Sequence, residues 1–335
     1  MLKIAVVNSS SFANIFPEHK QRLKYLGKVK RFKVPIDISG KKLGNMLQGY
    51  DAIVASISPN YDKDFFKAQG GSLKLLARHG IGTNNIDLQA AGDFGVIVTK
   101  VPGIIEREAM AEHTVALMLT CLRNLPQAQK NVKEGKWQSR TDFVGGELRN
   151  RTVGIFGLGN IGSRVAEIVE KGFGAKVLSY DPTVDTNSTL SEIISNASVI
   201  SLNCSLNPEN IHMISEKELS KMSPKTVLIN TARGELIDLK PLVKALKNKK
   251  IAAYGADVVE GEPIGKNHPL LKLKNVTIVP HIGAYTRESL RRMGDKMLDD
   301  LEALMSGYLP DEIANIDFLE SEASMPEKQL QHAKA

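Results

Sequence analysis

Short apolar runs rich in valine, isoleucine and leucine alternate with amphipathic stretches from one end of the chain to the other. Ile4–Val7, Val29–Val34, Asp51–Ala55, Leu73–Arg78 and Val96–Lys100 read as strands covered on both faces, because their apolar residues run on rather than alternate. Helical spacing is visible between several of them, at about Lys20–Leu26, Lys41–Leu47 and Asp62–Gln69. After the punctuation of Pro102-Gly103 a long apolar-periodic helix is predicted from about Glu106. The alternation resumes at Thr152 with strands at Val153–Phe156, Lys176–Tyr180, Val199–Asn203, Thr226–Asn230, Ala252–Ala256 and Val276–Val279. A last helix runs from Arg287 to about Met305, and a polar tail from about Phe318 is expected to be loosely ordered. Strands separated by helices are joined by crossovers, so the fold class is α/β with doubly wound parallel sheets. Returning the last helix to the first unit is the most economical arrangement. It divides the chain into residues 1–101 with 285–335, and residues 102–284.

The run Val153–Phe156 leads straight into Gly157-Leu158-Gly159-Asn160-Ile161-Gly162 and a helical pattern, and the next run ends on Asp181. Strand, glycines, helix, strand and terminal acid in this register describe a dinucleotide site of the Rossmann type. Gly157 permits the turn, Gly159 keeps a side chain away from the pyrophosphate, and Gly162 lets the helix lie on its strand. The helix start offers free N–H groups to phosphate. Asp181 is placed to accept from both ribose hydroxyls and to repel a 2′-phosphate. No arginine follows it, only Pro182 and Thr183, which selects NAD over NADP.

Composition adds exclusions. The 335 residues carry a formal net charge of +7, but only 5% are aromatic. The densest basic segment, Lys20–Lys33, interleaves Leu23, Leu26 and Val29 at core spacing, the wet face of a helix and an edge strand. No nucleic-acid partner is expected, because side chains that stack bases are nearly absent. No apolar run approaches the roughly 20 residues of a membrane span, and the amino-terminal residues lack a signal-peptide pattern. Cys121 and Cys204 are far apart without metal or redox spacing, so no metal site is expected. Two reduced thiols fit a cytoplasmic protein.

Three charged residues follow strands of the second unit: Arg233 in NTARG, Glu262 in DVVEGEP and His281 in PHIGA. A guanidinium fork can hold carboxylate and ketone oxygens together. A protonated imidazole can deliver a proton as hydride arrives, and a carboxylate beside it orients the ring and favours the charged form. Together they fit reduction of a 2-oxo acid. His79 is read as a loop support, and His113 as a packed or helix-bridging residue.

GIFGLGNIG, NTARGELID, DVVEGEP and PHIGA, with HGIGTNNIDL (79–88), VPG (101–103) and AEHTVALML (111–119), resemble the D-isomer-specific 2-hydroxyacid dehydrogenases in the family's order. The resemblance implies two Rossmann-like domains with an active-site cleft between them: a discontinuous substrate-binding domain (1–101 and 285–335) and an NAD-binding domain (102–284). It makes Arg233 the substrate anchor, Glu262 the partner of the histidine and His281 the proton donor. Gly80, Ile81 and Gly82 would offer N–H groups to the substrate carboxylate. Asn160 and Ile161 would lie over the pyrophosphate and Asp181 on the ribose. Cys204 and Ser205 would lie near the adenosine half, with Thr231, Asp257 and Gly283 toward the nicotinamide, and Asn210 and His281 complete the implied cofactor-binding set. A homodimer through the NAD-binding domains is also implied. Two residues depart from the pattern: Ser205 replaces a usual proline and Lys100 a common asparagine.

Glutamate at 262 argues against a formate dehydrogenase, which resembles this chain but has glutamine there. Phosphoglycerate dehydrogenases, the alternative reading, place an arginine after the strand matching Ile53–Ala55. Here Ser56, Ile57 and Ser58 follow, and the extra regulatory domain many of them carry is not seen. The expected substrate is a small unphosphorylated 2-oxo or 2-hydroxy acid. An NAD-sensing corepressor, which shares fold and triad, is the reading from a different class; turnover separates the two.

Overall fold

The computed structural model describes residues 1–319, so of the tail expected to be loosely ordered all but Phe318 and Leu319 lies outside the described residues. The chain forms two compact units, Met1–Ile105 with Arg287–Ala335, and Glu106–Thr286. Each is built on a wholly parallel sheet.

In the first unit the strands are β1 (Leu2–Val7), β2 (Gly27–Phe32), β3 (Ala52–Ala55), β4 (Leu75–Arg78) and β5 (Ile97–Thr99), in the order β2-β1-β3-β4-β5. Helices α1 (Pro17–Leu26), α2 (Gly40–Met46), α3 (Lys63–Gln69) and α4 (Leu88–Asp93) connect them. The second strand begins at Gly27, two residues before the expected Val29, because no linker separates it from α1. A Cβ at Gly27 would lie 2.0 Å from the Leu2 carbonyl oxygen, so only glycine lets the chain pass directly from helix to strand there. Inward-facing Ala5, Val7, Ile53, Ala55 and Leu76 pack with Leu43, Phe65 and Phe66 of α2 and α3. Asp62 and Asp87 cap α3 and α4 by accepting from Phe65 and Ala90 N–H.

A long helix, α5 (Gly103–Leu122), begins three residues before the predicted Glu106, immediately after Pro102. It leads to α6 (Leu125–Lys133) and then to the second sheet. The strands there are β6 (Thr152–Phe156), β7 (Lys176–Tyr180), β8 (Val199–Leu202), β9 (Val227–Asn230), β10 (Ala253–Ala256) and β11 (Val276–Ile278), ordered β11-β10-β9-β8-β6-β7. Helices α7 (Asn160–Glu167), α8 (Leu190–Asn196), α9 (Glu216–Lys221) and α10 (Leu239–Lys247) complete the windings. Strand residues alternate between two cores: Val153, Ile155, Val199 and Ile229 pack with α5 and α7, and Phe156, Ile200, Leu202 and Leu228 with α8, α9 and α10. The helix after the glycines widens into a π turn over Ile168–Gly172 rather than continuing regularly. The last helix, α11 (Arg287–Ser306), packs on α1 and β4 of the first unit. Among the described residues no helix is long and apolar enough to cross a membrane.

Candidate active site

The strand order of the second sheet reverses at β6, whose neighbours are β7 on one side and β8 on the other. A ligand crevice is expected beyond the carboxyl ends of β6 and β8. Gly157 stands there at φ 90°, and a Cβ on it would meet Cys204 N and Cα at 2.7 Å. A Cβ on Gly162 would meet the Gly157 oxygen at 1.9 Å, so the two glycines bring helix and strand together. The space before Gly159 is open, with no atom within 4 Å of a Cβ there, and α7 starts at the next residue. A backbone surface without side chains, at a helix start, is a cradle of the kind a pyrophosphate needs. Asn160 and Ile161 open that helix.

Asp181 ends the neighbouring strand and is tethered on both oxygens. Leu158 N–H donates to Oδ2 at 2.7 Å, and the Thr183 N–H and hydroxyl donate to Oδ1 at 2.9 and 2.7 Å. The Thr183 hydroxyl above all, with Leu158 N–H, holds this carboxyl below the usual range. Thr183 is a positioning residue that the sequence reading passed over, although Asp-x-Thr is a recognisable turn. On the far side, Ser201 donates to Asn203 Oδ1 at 2.8 Å, and the buried Asn203 Nδ2 has no acceptor among the described residues. Burial pushes the nearby Cys204 thiol up to about 11. Asn210 is spent within its own loop: its Nδ2 donates to the Ser205 oxygen at 2.7 Å and its Oδ1 accepts from Asn207 N–H at 2.8 Å.

Three further loops carry the charged residues. Asn230, fully buried at the end of β9, donates to the Arg233 oxygen at 2.8 Å and accepts from Ala232 N–H at 3.0 Å, which shapes the arginine's loop. Arg233 Nη1 donates to the Ala232 oxygen at 2.6 Å. Its neighbour Gly234 presses on the loop after β10, where a Cβ would lie 2.0 Å from Glu260 N. Thr231 shares a 2.9 Å hydrogen bond with Thr114 of α5.

Asp257, 1% exposed, ties the β10 and β11 loops together by accepting from Ile282 and Gly283 N–H at 2.7 and 2.9 Å. His113 Nε2 stands 3.4 Å from the same carboxylate. Burial pushes the Asp257 carboxyl up, but His113 and the two N–H groups outweigh it and hold it below its usual range. Gly283 has no room for a side chain, since Met110 Sδ would be 2.6 Å away.

His281 takes a left-handed conformation (φ 54°), and its N–H donates to the Asp257 oxygen at 2.9 Å. Such a backbone costs about 1 kcal/mol or more outside glycine, and the Asp257 tethers hold it in place. From that position Nδ1 lies 2.5 Å from Glu262 Oε1, while Oε2 accepts from Val259 N–H at 3.2 Å. Both side chains remain about one-third exposed, at 30% and 31%. The imidazole is thus oriented through one nitrogen, which leaves Nε2 available to a reactant.

Gly80, Ile81 and Gly82 lie in the first unit, in the loop after β4. His79 beside them is buried and packed on Phe12, which keeps its ring neutral: burial lowers it to about 3. Among the described residues no group of three His, Cys, Asp or Glu side chains is arranged to hold a metal ion.

Comparison with known proteins follows the same line. Residues 115–283 match the family model for the D-isomer specific 2-hydroxyacid dehydrogenase NAD binding domain. The glyoxylate reductase of Thermococcus litoralis is 37% identical over 290 residues, covering 81% of this chain and 85% of that protein. The D-3-phosphoglycerate dehydrogenase of Methanocaldococcus jannaschii is 34% identical over 310 residues, 90% of this chain but 58% of that protein. The chain therefore spans little more than half of that relative. The crystal structure of a D-lactate dehydrogenase from Aquifex aeolicus, complexed with NAD and lactic acid, superposes with a TM-score of 0.80 at 29% identity, covering 91% and 96% of the two chains.

Proposed function

The chain belongs to the D-isomer-specific 2-hydroxyacid dehydrogenases, and from that membership we propose that it interconverts a small 2-oxo acid and its D-2-hydroxy acid with NAD(H). The observation that carries the reading is the 2.5 Å pair of His281 Nδ1 and Glu262 Oε1, held on adjoining loops beside the loop of Arg233. The glycine cradle and the tethered Asp181 carboxylate fit a dinucleotide with free ribose hydroxyls. Bound there, NADH supplies a hydride. Gly157, Gly159, Asn160, Ile161 and Gly162 would bear the pyrophosphate and Asp181 the ribose. Cys204, Ser205, Thr231, Asp257 and Gly283 would wall the pocket, with Asn210 bracing the loop. Arg233 would fork onto the carboxylate and ketone oxygens. Protonated His281, oriented by the Glu262 carboxylate, would give its Nε2 proton to the developing alkoxide and take it back in the reverse direction.

We assign residues 1–101 and 285–335 to the substrate domain and 102–284 to the NAD domain. A cytoplasmic location and a homodimer complete the proposal. The second unit supports a dimer, since α6 buries none of its residues, and Trp137 and Val144 are 68% and 85% exposed.

Oxidation of NADH followed with glyoxylate, pyruvate, hydroxypyruvate, a branched-chain 2-oxo acid and 3-phosphohydroxypyruvate tests the reading. Turnover of an unphosphorylated acid supports it. Preference for the phosphorylated one supports the second reading, a D-3-phosphoglycerate dehydrogenase, which such relatives at 34% and 35% identity favour. NADH binding without any turnover overturns both and leaves an NAD-sensing binding protein.

A further inference from the structure

Partly buried cations of the first unit have partners: Arg22 pairs with Glu302 and Asp299, and Lys296 pairs with Asp300. Lys100 differs. It is half-buried at the end of β5, and its ammonium makes no hydrogen bond or ion pair among the described residues. A lysine without a counter-charge at a sheet's carboxyl edge can answer the charge of an anionic ligand.

The surroundings point the same way. β4 and β5 are parallel neighbours, and Val101 N–H donates to the Gly80 oxygen at 3.1 Å, so Lys100 and the loop Gly80–Gly82 emerge side by side. Beneath that loop lies the buried Arg78, whose guanidinium would stand 2.6 Å from a Cβ on Gly80. The backbone N–H groups of Ile81 and Gly82 meet no acceptor among the described residues. Asn85 pins the loop by donating to the Ser56 and Pro59 oxygens at 3.2 and 2.9 Å. Open N–H groups already suit one anionic oxygen pair, and Lys100 brings a further positive charge to the same sheet edge.

A substrate with a single carboxylate leaves that added charge unanswered. We propose that Lys100 selects 2-oxo acids bearing a second anionic group, a carboxylate or phosphate further along the carbon chain. This rests on the reading of the protein as a 2-oxo acid reductase and narrows its substrate class.

The test is kcat/KM with NADH for pyruvate, oxaloacetate and 3-phosphohydroxypyruvate in the wild type, Lys100→Met and Lys100→Arg. The wild type should favour at least one dianionic acid over pyruvate by about tenfold or more, the scale of one charge-assisted contact. Lys100→Met should lose about tenfold on that acid while pyruvate stays within about threefold, and Lys100→Arg should recover most of the loss. Which acid responds separates carboxylate from phosphate. Equal losses on pyruvate and the dianions, or no loss on any acid, overturn the assignment of Lys100. In those cases the wild type still reduces pyruvate and the reductase reading stands; a wild type inactive on every 2-oxo acid removes both.

Discussion

The proposed choice of cofactor rests on a single carboxylate, that of Asp181. Leu158 N–H and Thr183 already hold both of its oxygens, so the charge cannot swing away from an incoming ribose. A 2′-phosphate would face a fixed anion. NAD(H) should therefore support at least about tenfold higher kcat/KM than NADP(H), and Asp181→Ala should narrow the gap mainly by weakening NAD. Equal use of both cofactors by the wild type would refute this. At His281 the expected failures differ in kind. His281→Ala removes the proposed proton donor and should cost roughly 10² to 10⁴ in kcat, with NADH affinity, read by fluorescence titration, little changed. Glu262→Gln keeps the shape beside Nδ1 but removes the carboxylate that holds the ring, so reduction should slow while binding of NADH persists. A Glu262→Gln enzyme as fast as the wild type would mean that the 2.5 Å pair does no chemical work. These residues were legible because each lies within a few positions of a strand end. His113 was not assigned to Asp257, because 144 residues separate the two and no local pattern links them. Asn230 and Asn203 were passed over although their contacts are local: Asn230 shapes the turn of Ala232 and Arg233 just after it, and Asn203 accepts from Ser201 two residues before it.

At the scale of elements, the seam between α1 and α11 explains why the last helix returns to the first unit. His19 Nε2 lies 3.0 Å from Asp295 Oδ1, Arg22 reaches Glu302 and Asp299 at 2.8 and 2.6 Å, and Arg291 pairs with Glu18. Gly294 makes room, since a Cβ there would sit 2.4 Å from the His19 ring. Further along α11, Asp300 accepts from Thr99 at 2.8 Å, and burial raises its carboxyl to about 6. The folded state thus holds this proton more tightly than the unfolded chain. Its contribution to stability is fully present below pH about 4 and is lost as pH rises toward 6, on the order of 2 to 3 kcal/mol. His79 has the opposite sign. Buried and lowered to about 3, it contributes stability above pH about 6.5 that is lost as pH falls. Urea denaturation of the apo protein at several pH values separates them. The stability of the wild type minus that of Asp300→Asn should fall between pH 4 and 6, and a flat difference would show that Asp300 is not protonated in the fold. The strands and the long helices were readable from periodicity alone, to within two or three residues at their ends. The early start of β2 was not, because it depends on Gly27 meeting the Leu2 carbonyl across the sheet.

For the whole molecule, parallel topology followed from alternation of strand and helix, since a parallel pair needs a crossover. Strand order did not, because neither sheet follows chain order: β1 and β6 each sit between the next two strands. Association is the property least visible in one chain, yet α6 and the residues after it carry a physical argument. Leu125, Val132, Trp137 and Val144 are all at least half exposed, and α6 buries none of its residues. Apolar surface concentrated on one segment favours association, and a closed two-fold pairing is the commonest way to cover it. Light scattering at micromolar concentration should give twice the 36.6 kDa chain mass. Trp137 is the only tryptophan, so its emission reports this face alone. On dilution the emission should shift to the red as the face is uncovered, together with the loss of the dimer. Val132→Glu should give the monomer and the red-shifted spectrum at every concentration, because a buried unpaired carboxylate opposes pairing. A wild type that scatters as a monomer would exclude the dimer. A dimer whose Trp137 emission does not move on dissociation would place the interface on another face.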